Sequence, residues 1–179
     1  MNHNFENDKC NCEDGKCVDC KCTRTRGFET VDTKFLKSYK ETDEVKMPLR
    51  GTATSAGYDF FMSSDAVIEP NSGFLVWTDV KAYMLDDEVL ELYPRSSIGV
   101  KRNIRIKNTV GIIDSDYYSN EGNDGNIGLF LWNFGTEPQT FKKGDAVVQA
   151  IFKEFLASDN CNSEVERVGG VGSTTEGGK

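Results

Sequence analysis

The feature that most constrains the fold of this chain is a series of short segments, from Gly27 onward, separated by turn signals. Residues 103–107 alternate polar and apolar side chains with a period of two, as a half-buried strand does. Residues 88–93 and 144–155 also read as strands. Residues 127–134 are apolar on both faces, which predicts a strand covered on both sides.

Turn-forming residues lie between these segments. Gly, Asn, Asp or Pro mark turns at residues 69–73, 86–88, 119–126 and 142–145, and we interpret 119–126 as the end of a hairpin. Strands at this spacing, with little helical periodicity, predict an all-β sandwich or jelly roll. One short helix is expected, with Ser96 as its N-cap.

The 179 residues fit one domain with a sizeable core. Residues 1–25 are polar and rich in cysteine, and we interpret them as an N-terminal extension. The β core is expected over residues 26–160. Residues 161–179 are rich in glycine towards their end and are interpreted as a flexible C-terminal arm that closes over the active site.

The net charge of the chain limits the classes of partner that it can bind. With 21 Lys and Arg against 29 Asp and Glu, the net charge is −8 and the pI about 4.8. Phosphate backbones would repel such a chain, so no nucleic-acid polymer is expected as a partner. A small polyanion can bind if a divalent cation offsets its charge. No apolar run approaches the ~20 residues of a membrane helix, and we expect no membrane association and a cytoplasmic location.

A single histidine, His3, lies in the polar extension. Its isolation excludes a Ser-His-Asp triad, a Cys-His pair and a His-rich metal site. Acid–base chemistry is therefore expected from carboxylates, lysine, tyrosine or a metal-bound water.

Five of the six cysteines crowd into the N-terminal extension, where two interpretations stay open. A Cys-x-x-Cys spacing suits two ligands of one Zn²⁺, with a neighbouring cysteine completing a tetrahedral site. The alternative is a reduced tail without metal, because a second spaced pair is missing. The cysteines concerned are Cys10, Cys12, Cys17, Cys20 and Cys22.

Residues 111–118 are the most informative stretch for function. They end an apolar run with Asp114, followed by Asp116 and Tyr117, at a tight turn. Such a turn can hold one carboxylate beside a water while an aromatic ring packs on a sugar. The alternative for Tyr117 is an aromatic of the core or of a subunit contact.

Two further motifs suggest phosphate chemistry. Arg95, Ser96 and Ser97 follow a predicted strand, where a guanidinium and two hydroxyls can cradle a phosphate. An ordinary capped turn with a surface arginine is the alternative. Asp59 can hold the waters of a bound Mg²⁺, or it is merely an acid in a turn. Together with the turn at Asp114, these motifs indicate nucleotide pyrophosphohydrolysis.

The glycine-rich residues 169–174 invite comparison with a P-loop, and the comparison fails. A P-loop needs a following helix and a lysine directly after its last glycine, and this chain ends at Lys179. Arg167 and the adjacent glycines can instead fold over a terminal phosphate when substrate binds.

Residues 27–179 resemble the homotrimeric dUTPase family, whose five motifs all occur in order. They are Ala56–Asp59, Pro94–Ser97, Asn108–Tyr117, Gly144–Gln149 and Arg167–Thr174. The resemblance implies a jelly-roll homotrimer with shared active sites. It also implies Mg²⁺-dependent hydrolysis of dUTP to dUMP and pyrophosphate, which removes dUTP and supplies dUMP for thymidylate synthesis.

The resemblance also implies roles for individual residues. Asp114 would activate the attacking water, and Tyr117 would reject ribose. Asn108, with the hairpin backbone at Gly111 and Ile113, would read uracil. The phosphate contacts would be Arg95, Ser96, Ser97 and Gln149. Asp59 would support Mg²⁺ through water. The residues that close on the γ-phosphate would be Arg167, Ser173 and Thr174.

Two positions depart from the family pattern. Val171 replaces an aromatic that stacks on uracil, at a cost of about 1 kcal/mol. Ala146 replaces an arginine of the fourth motif. These departures keep open a nucleotide-binding regulatory protein with weakened catalysis. A dCTP deaminase of the same fold is a further alternative, although the Asp-x-Asp-Tyr pattern disfavours it.

Overall fold

A computed structural model describes residues 24–160, whose regular secondary structure consists mostly of β-strands. The strands are β1 (Gly27–Thr30), β2 (Leu49–Arg50), β3 (Tyr58–Phe61), β4 (Ala66–Ile68), β5 (Gly73–Trp77), β6 (Val80–Tyr83), β7 (Glu88–Pro94), β8 (Ile104–Ile106), β9 (Gly111–Asp114), β10 (Gly128–Asn133), β11 (Gln139–Phe141) and β12 (Ala146–Glu154). The helices are α1 (Ser96–Arg102) and two 3₁₀ turns, Thr33–Phe35 and Ser115–Tyr117. The predicted all-β class with one short helix is confirmed.

The strands pair antiparallel in four sheets. The largest has the order β2-β3-β12-β7-β9, and a second has the order β5-β10-β8. Two smaller sheets pair β1 with β6 and β11 with β4. No helix among residues 24–160 is long and apolar enough to cross a membrane.

The core forms where the inner faces of the two larger sheets meet. Phe60, Leu90 and Val148 of the largest sheet and Leu129 and Leu131 of β10 belong to one buried hydrophobic cluster. Because side chains alternate along a strand, the residues between them point outward. The outer face of the largest sheet is therefore the surface on which a polar site can be displayed.

The predicted strands agree with the structure within one or two residues at each end. The segment predicted at 103–107 forms β8, that at 88–93 forms β7, and that at 144–155 forms β12. The segment at 127–134 forms β10, but the expectation of cover on both faces is wrong for the single chain. Phe130 on its outer face is 40% exposed, because only alternate residues of β10 face the core.

The helix begins one residue earlier than predicted. Arg95, not Ser96, occupies the N-cap position, and its backbone is extended (φ −66°, ψ 145°). The N–H of Arg95 still donates to the carbonyl of Val147 on β12, 3.2 Å away, so Arg95 remains tied to the sheet. The carbonyl of Arg95 accepts the N–H groups of Ile98 and Gly99, and the helix starts between these two sets of bonds.

Residues 119–127, which we call the asparagine loop, are not the end of a hairpin. The loop joins the 3₁₀ turn after β9 to β10, and these two strands lie in different sheets. Its side chains turn inward, with Asn123 5% exposed and Asn126 fully buried. The loop is therefore a packed element and not a solvated connection.

Candidate active site

Residues predicted for phosphate and metal meet on the outer face of the largest sheet. Gln149 of β12 lies opposite Asp59 of β3 on one side and opposite Tyr93 of β7 on the other. Residues directly opposite in antiparallel strands share a face of the sheet. Arg95 follows β7 two residues after Tyr93. We call Asp59, Arg95 and Gln149 the arginine cluster.

An ion pair holds the arginine cluster together. Nε of Arg95 lies 3.0 Å from Oδ1 of Asp59, and Nη1 donates to the carbonyl of Ala146 at 3.5 Å. The Arg95 side chain is 37% exposed and that of Asp59 18% exposed. A guanidinium has five N–H donors, so an external anion can reach Arg95 while its Nε still contacts Asp59.

Gly57 shapes the position of Gln149, a relationship that the sequence analysis missed. A Cβ at Gly57 would lie 2.9 Å from Oε1 and 3.2 Å from Cβ of Gln149. The φ of Gly57 is outside the left-handed region, so glycine is required here for space and not for its backbone torsion. The signal available in the sequence was a glycine directly before a strand, at a position where no turn requires glycine.

Ser96 and Ser97 lie in the first turn of α1, directly after Arg95. Both residues are exposed, so their hydroxyls are accessible from solvent. The structure therefore brings together all the phosphate-binding residues predicted between 95 and 149.

The residues predicted for the base and the nucleoside lie on and around β9, the last strand of the largest sheet. Asp114 is exposed and lies opposite Val89 of β7, while Gly111 lies opposite Leu92. Asn108 is exposed and its carbonyl accepts the N–H of Val110 at 2.9 Å. The half-buried Ile113 packs against the core from β9. We call Asn108, Gly111, Ile113, Asp114 and Tyr117 the aspartate group.

Tyr117 is buried, with 6% of its surface exposed. Its hydroxyl donates to the carbonyl of Asn126 at 2.9 Å and accepts from Nδ2 of Asn123 at 2.7 Å. Both hydrogen-bonding capacities of the phenol are thus engaged by the asparagine loop. A ligand can meet this residue through its ring, not through a new bond to its hydroxyl.

The two groups are separate within one chain. Asp114 lies opposite Val89, whereas Gln149 lies opposite Tyr93, four residues further along β7, a distance of ~13 Å. Asp59 on β3 is three strand spacings from β9, which adds ~14 Å across the sheet. Asp114 and Asp59 are therefore about 19 Å apart by this geometry.

A charged triad occupies the surface between the two groups. Tyr93 Oη and Lys153 Nζ both donate to the carboxylate of Glu91, and Nζ also lies 2.9 Å from the Tyr93 hydroxyl. The hydrogen bonds from Lys153 and Tyr93 lower the pKa of Glu91. The hydrogen bond to Glu91 likewise raises the pKa of Lys153, to about 12. Within the triad, Lys153 and Glu91 thus form an ion pair on the same face, and Tyr93 donates a further hydrogen bond to Glu91.

No cluster of three or more His, Cys, Asp or Glu residues among residues 24–160 could hold a metal ion by itself. Mg²⁺ fits this sheet face only if substrate phosphates and waters supply most of its ligands. Sites of this kind need one or two carboxylates from the protein. Asp59 is the carboxylate of the arginine cluster and suits that role.

Several predicted residues lie outside the described range. They are Arg167, Ser173 and Thr174 of the C-terminal arm and Cys10, Cys12, Cys17, Cys20 and Cys22 of the extension. Their roles, the zinc site included, stay predictions, as do the domain boundaries.

These features define an all-β protein whose largest sheet carries a polar site, with an acid–arginine pair, on its outer face. The dUTPase family model matches residues 43–175. A deoxyuridine 5'-triphosphate nucleotidohydrolase of Lactococcus lactis is 40% identical over 153 residues, which are 84% of this chain and 98% of that protein. The chain belongs to the dUTPase family, and the predicted resemblance is confirmed.

Solved structures agree with the fold. The crystal structure of a Streptococcus mutans dUTPase matches with a TM-score of 0.65 at 40% identity, covering 75% of this chain and 99% of that one. The dUTPase of phage phi11 of Staphylococcus aureus matches with a TM-score of 0.59 at 21% identity, covering 79% and 97%. The predicted jelly-roll type of β fold is confirmed by these neighbours.

Proposed function

We propose that the chain hydrolyses dUTP to dUMP and pyrophosphate, with Mg²⁺, at sites shared between the copies of a homotrimer. In a cell this reaction removes dUTP and supplies dUMP for thymidylate synthesis. The observation that carries the proposal is the pairing of Arg95 with Asp59 beside Gln149, on the sheet face that also displays Asp114.

The arginine cluster binds the triphosphate. Arg95 offers a charged fork that remains accessible beside its contact with Asp59, and Gln149 offers an amide over Gly57. The exposed hydroxyls of Ser96 and Ser97 add donors next to Arg95. Asp59 would hold Mg²⁺ through the waters of the ion, which would offset the charge of the triphosphate and restrict its conformation.

Asp114 is the general base. Its carboxylate takes a proton from water while the water oxygen bonds to the α-phosphorus. The bond from the α-phosphorus to the bridging oxygen breaks, and pyrophosphate leaves with that oxygen. No covalent intermediate with the protein is required.

The nucleoside lies against β9. This strand ends its sheet, so one of its backbone edges has no strand partner among residues 24–160. Main-chain groups at Gly111 and Ile113, with the side chain of Asn108, can therefore read the edge of uracil. The ring of Tyr117 packs on the deoxyribose and leaves no space for a 2′-hydroxyl.

The separation within one chain supports a shared site. A single substrate cannot contact Asp114 and Asp59 of one chain when they are about 19 Å apart. A second copy resolves this if its aspartate group approaches the arginine cluster of the first. Exposed Leu49 and Ile112, at 59% and 53%, flank the polar residues and offer apolar contact area for that approach.

The C-terminal arm completes the site. Arg167, Ser173 and Thr174 close on the γ-phosphate once substrate is bound. Deletion of residues 161–179 should therefore raise the KM for dUTP more than the dissociation constant for dUMP.

Complementation between two inactive variants tests the proposal. Asp114→Asn and Arg95→Ala chains, tagged differently and produced together in equal amounts, should assemble into trimers in which about one quarter of all sites are intact if each site takes these residues from different copies. Separately produced variants are the control. Pyrophosphate release from dUTP is measured, with dCTP, dTTP and UTP alongside.

Mixed trimers without activity would contradict the shared site. Binding of dUTP by the wild-type protein without pyrophosphate release would favour the regulatory alternative. Ammonia release from dCTP would favour a deaminase.

A further inference from the structure

We infer that Asn123 is a positioning residue for Tyr117 and, through it, sets the discrimination between deoxyribose and ribose nucleotides. The inference rests on the proposed function, because it assigns Tyr117 to the sugar. It concerns a side chain that lies in the asparagine loop and does not contact substrate itself.

The first observation is the anchoring of the phenol. The Asn123 Nδ2 donates to the Tyr117 hydroxyl at 2.7 Å, and that hydroxyl donates to the carbonyl of Asn126 at 2.9 Å. The ring cannot swing towards solvent without breaking both bonds. Its distance from a bound sugar is therefore set from behind, by the loop.

The second observation fixes the amide of Asn123 itself. Its Oδ1 accepts from Nδ2 of Asn120 at 2.8 Å and from the N–H of Gly125 at 3.1 Å. Because both donors point at Oδ1, the Nδ2 of Asn123 must face Tyr117. The hydrogen-bond network therefore fixes the orientation of the Asn123 amide. Asn120 Nδ2 also donates to the carbonyl of Tyr117 at 2.7 Å.

The third observation is the close approach of the loop to the backbone of Tyr117. Gly125 has a φ of +80°, and a Cβ there would lie 2.8 Å from the Tyr117 carbonyl oxygen. Only glycine satisfies both conditions without strain. The loop thus holds Tyr117 at its hydroxyl and at its main chain.

The far side of the loop is anchored to the rest of the chain. Nζ of Lys81 lies 2.9 Å from Oδ2 of Asp124, which also accepts the N–H of Asp32 at 2.7 Å. Asn126 Nδ2 donates to the fully buried carboxylate of Asp79 at 2.8 Å. Because none of these bonds involves Asn123, the loop keeps its place when the contact from Asn123 is removed.

Exclusion of a 2′-hydroxyl by a ring is steric, so a small displacement of Tyr117 admits it. The loss of one hydrogen bond at the anchor should therefore relax sugar selectivity more than it slows hydrolysis of dUTP. A residue that only stabilised the fold would instead affect both nucleotides equally.

The test compares kcat/KM for dUTP and UTP in the full chain, with the thermal midpoint of each variant. Asn123→Ala should lower the ratio of dUTP to UTP activity about fivefold, the loss of roughly one hydrogen bond. Tyr117→Phe, which removes both bonds of the hydroxyl, should lower it at least as much. In the Tyr117→Phe background, Asn123→Ala should lower the ratio no further. Glu121→Gln, at an exposed position of the same loop, should leave the ratio unchanged.

An unchanged ratio in Asn123→Ala or in Tyr117→Phe would overturn the inference, whatever happens to the thermal midpoint. If Asn123→Ala does not fold, Asn123→Asp, which removes the donor at nearly constant shape, takes its place. Wild-type protein that fails to hydrolyse dUTP contradicts the proposed function separately. In that case the ratio of the dissociation constants for dUMP and UMP, compared between wild type and Asn123→Ala, decides the role of Asn123.

Discussion

Arg95 and Asp59 pair across the width of β12, with 3.0 Å between Nε and Oδ1. Asp59 lies on β3 and Arg95 directly follows β7, and these two strands flank β12 on opposite sides. Nη1 of Arg95 also donates to the carbonyl of Ala146 on β12. Ala146, whose carbonyl this arginine contacts, stands at the position where the family pattern carries an arginine. In this chain, Asp59 thus has Arg95 as its cationic partner.

Replacing Asp59 should reveal the metal requirement. The Asp59→Asn variant keeps the shape of the side chain but loses the charge proposed to hold the waters of Mg²⁺. We expect the half-saturating Mg²⁺ concentration for pyrophosphate release to rise about tenfold or more. Asp65→Asn is the matched control, because Asp65 pairs with Lys142 on the exposed surface. An unchanged Mg²⁺ dependence would remove Asp59 from the metal site.

The strands β7, β8, β10 and β12 could be predicted from the sequence, whereas the contacts between strands could not. Alternation identified β8, since side-chain direction is a local property. The pair of Arg95 with Asp59 joins positions far apart in sequence, which only the sheet order brings together.

The errors in the sequence analysis also have physical causes. The asparagine loop was misread because its polar composition is typical of solvated turns, and nothing local shows that Asn123 and Asn126 bond inward. Ser96 was predicted as the cap because serine favours that position. The bond from Arg95 to Val147 on a distant strand decided otherwise.

Removing the proposed base should affect chemistry and not binding. Asp114→Asn should lower kcat for dUTP by about 10²–10⁴-fold, the range for a general base. The dissociation constant for dUTP should stay within about twofold of wild type, because the variant retains shape and polarity. Rapid-quench and equilibrium-binding measurements separate the two quantities, with Asp86→Asn as an exposed control. A near-normal kcat would show that another group takes the proton.

A methyl group at Gly57 should disturb Gln149. Because a Cβ there would lie 2.9 Å from Oε1 of Gln149, Gly57→Ala should displace the amide and raise the KM for dUTP about tenfold. In a Gln149→Ala background the same change should have little further effect. Gly51→Ala is the control, since its Cβ would meet nothing within 4 Å. Equal effects of Gly57→Ala in both backgrounds would mean that the contact with Gln149 is irrelevant.

The contribution of Arg26 to stability should depend on pH. Arg26 donates to the buried carboxylate of Glu88 from Nε at 2.9 Å, and this hydrogen bonding lowers the pKa of Glu88. A lowered carboxyl pKa stabilises the fold above the pKa of the unfolded chain, and the stabilisation is lost as pH falls through the folded pKa. Arg26→Gln should therefore lower the free energy of unfolding by about 2 kcal/mol at pH 7. The difference from wild type should shrink below the ordinary glutamate pKa of about 4.3. Urea unfolding from pH 7 to below this pKa measures the difference in free energy of unfolding. Lys142→Gln is the control, because Lys142 forms an exposed pair with Asp65, and it should match wild type at every pH. A difference independent of pH would show that Arg26 acts through packing and not through the charge of Glu88.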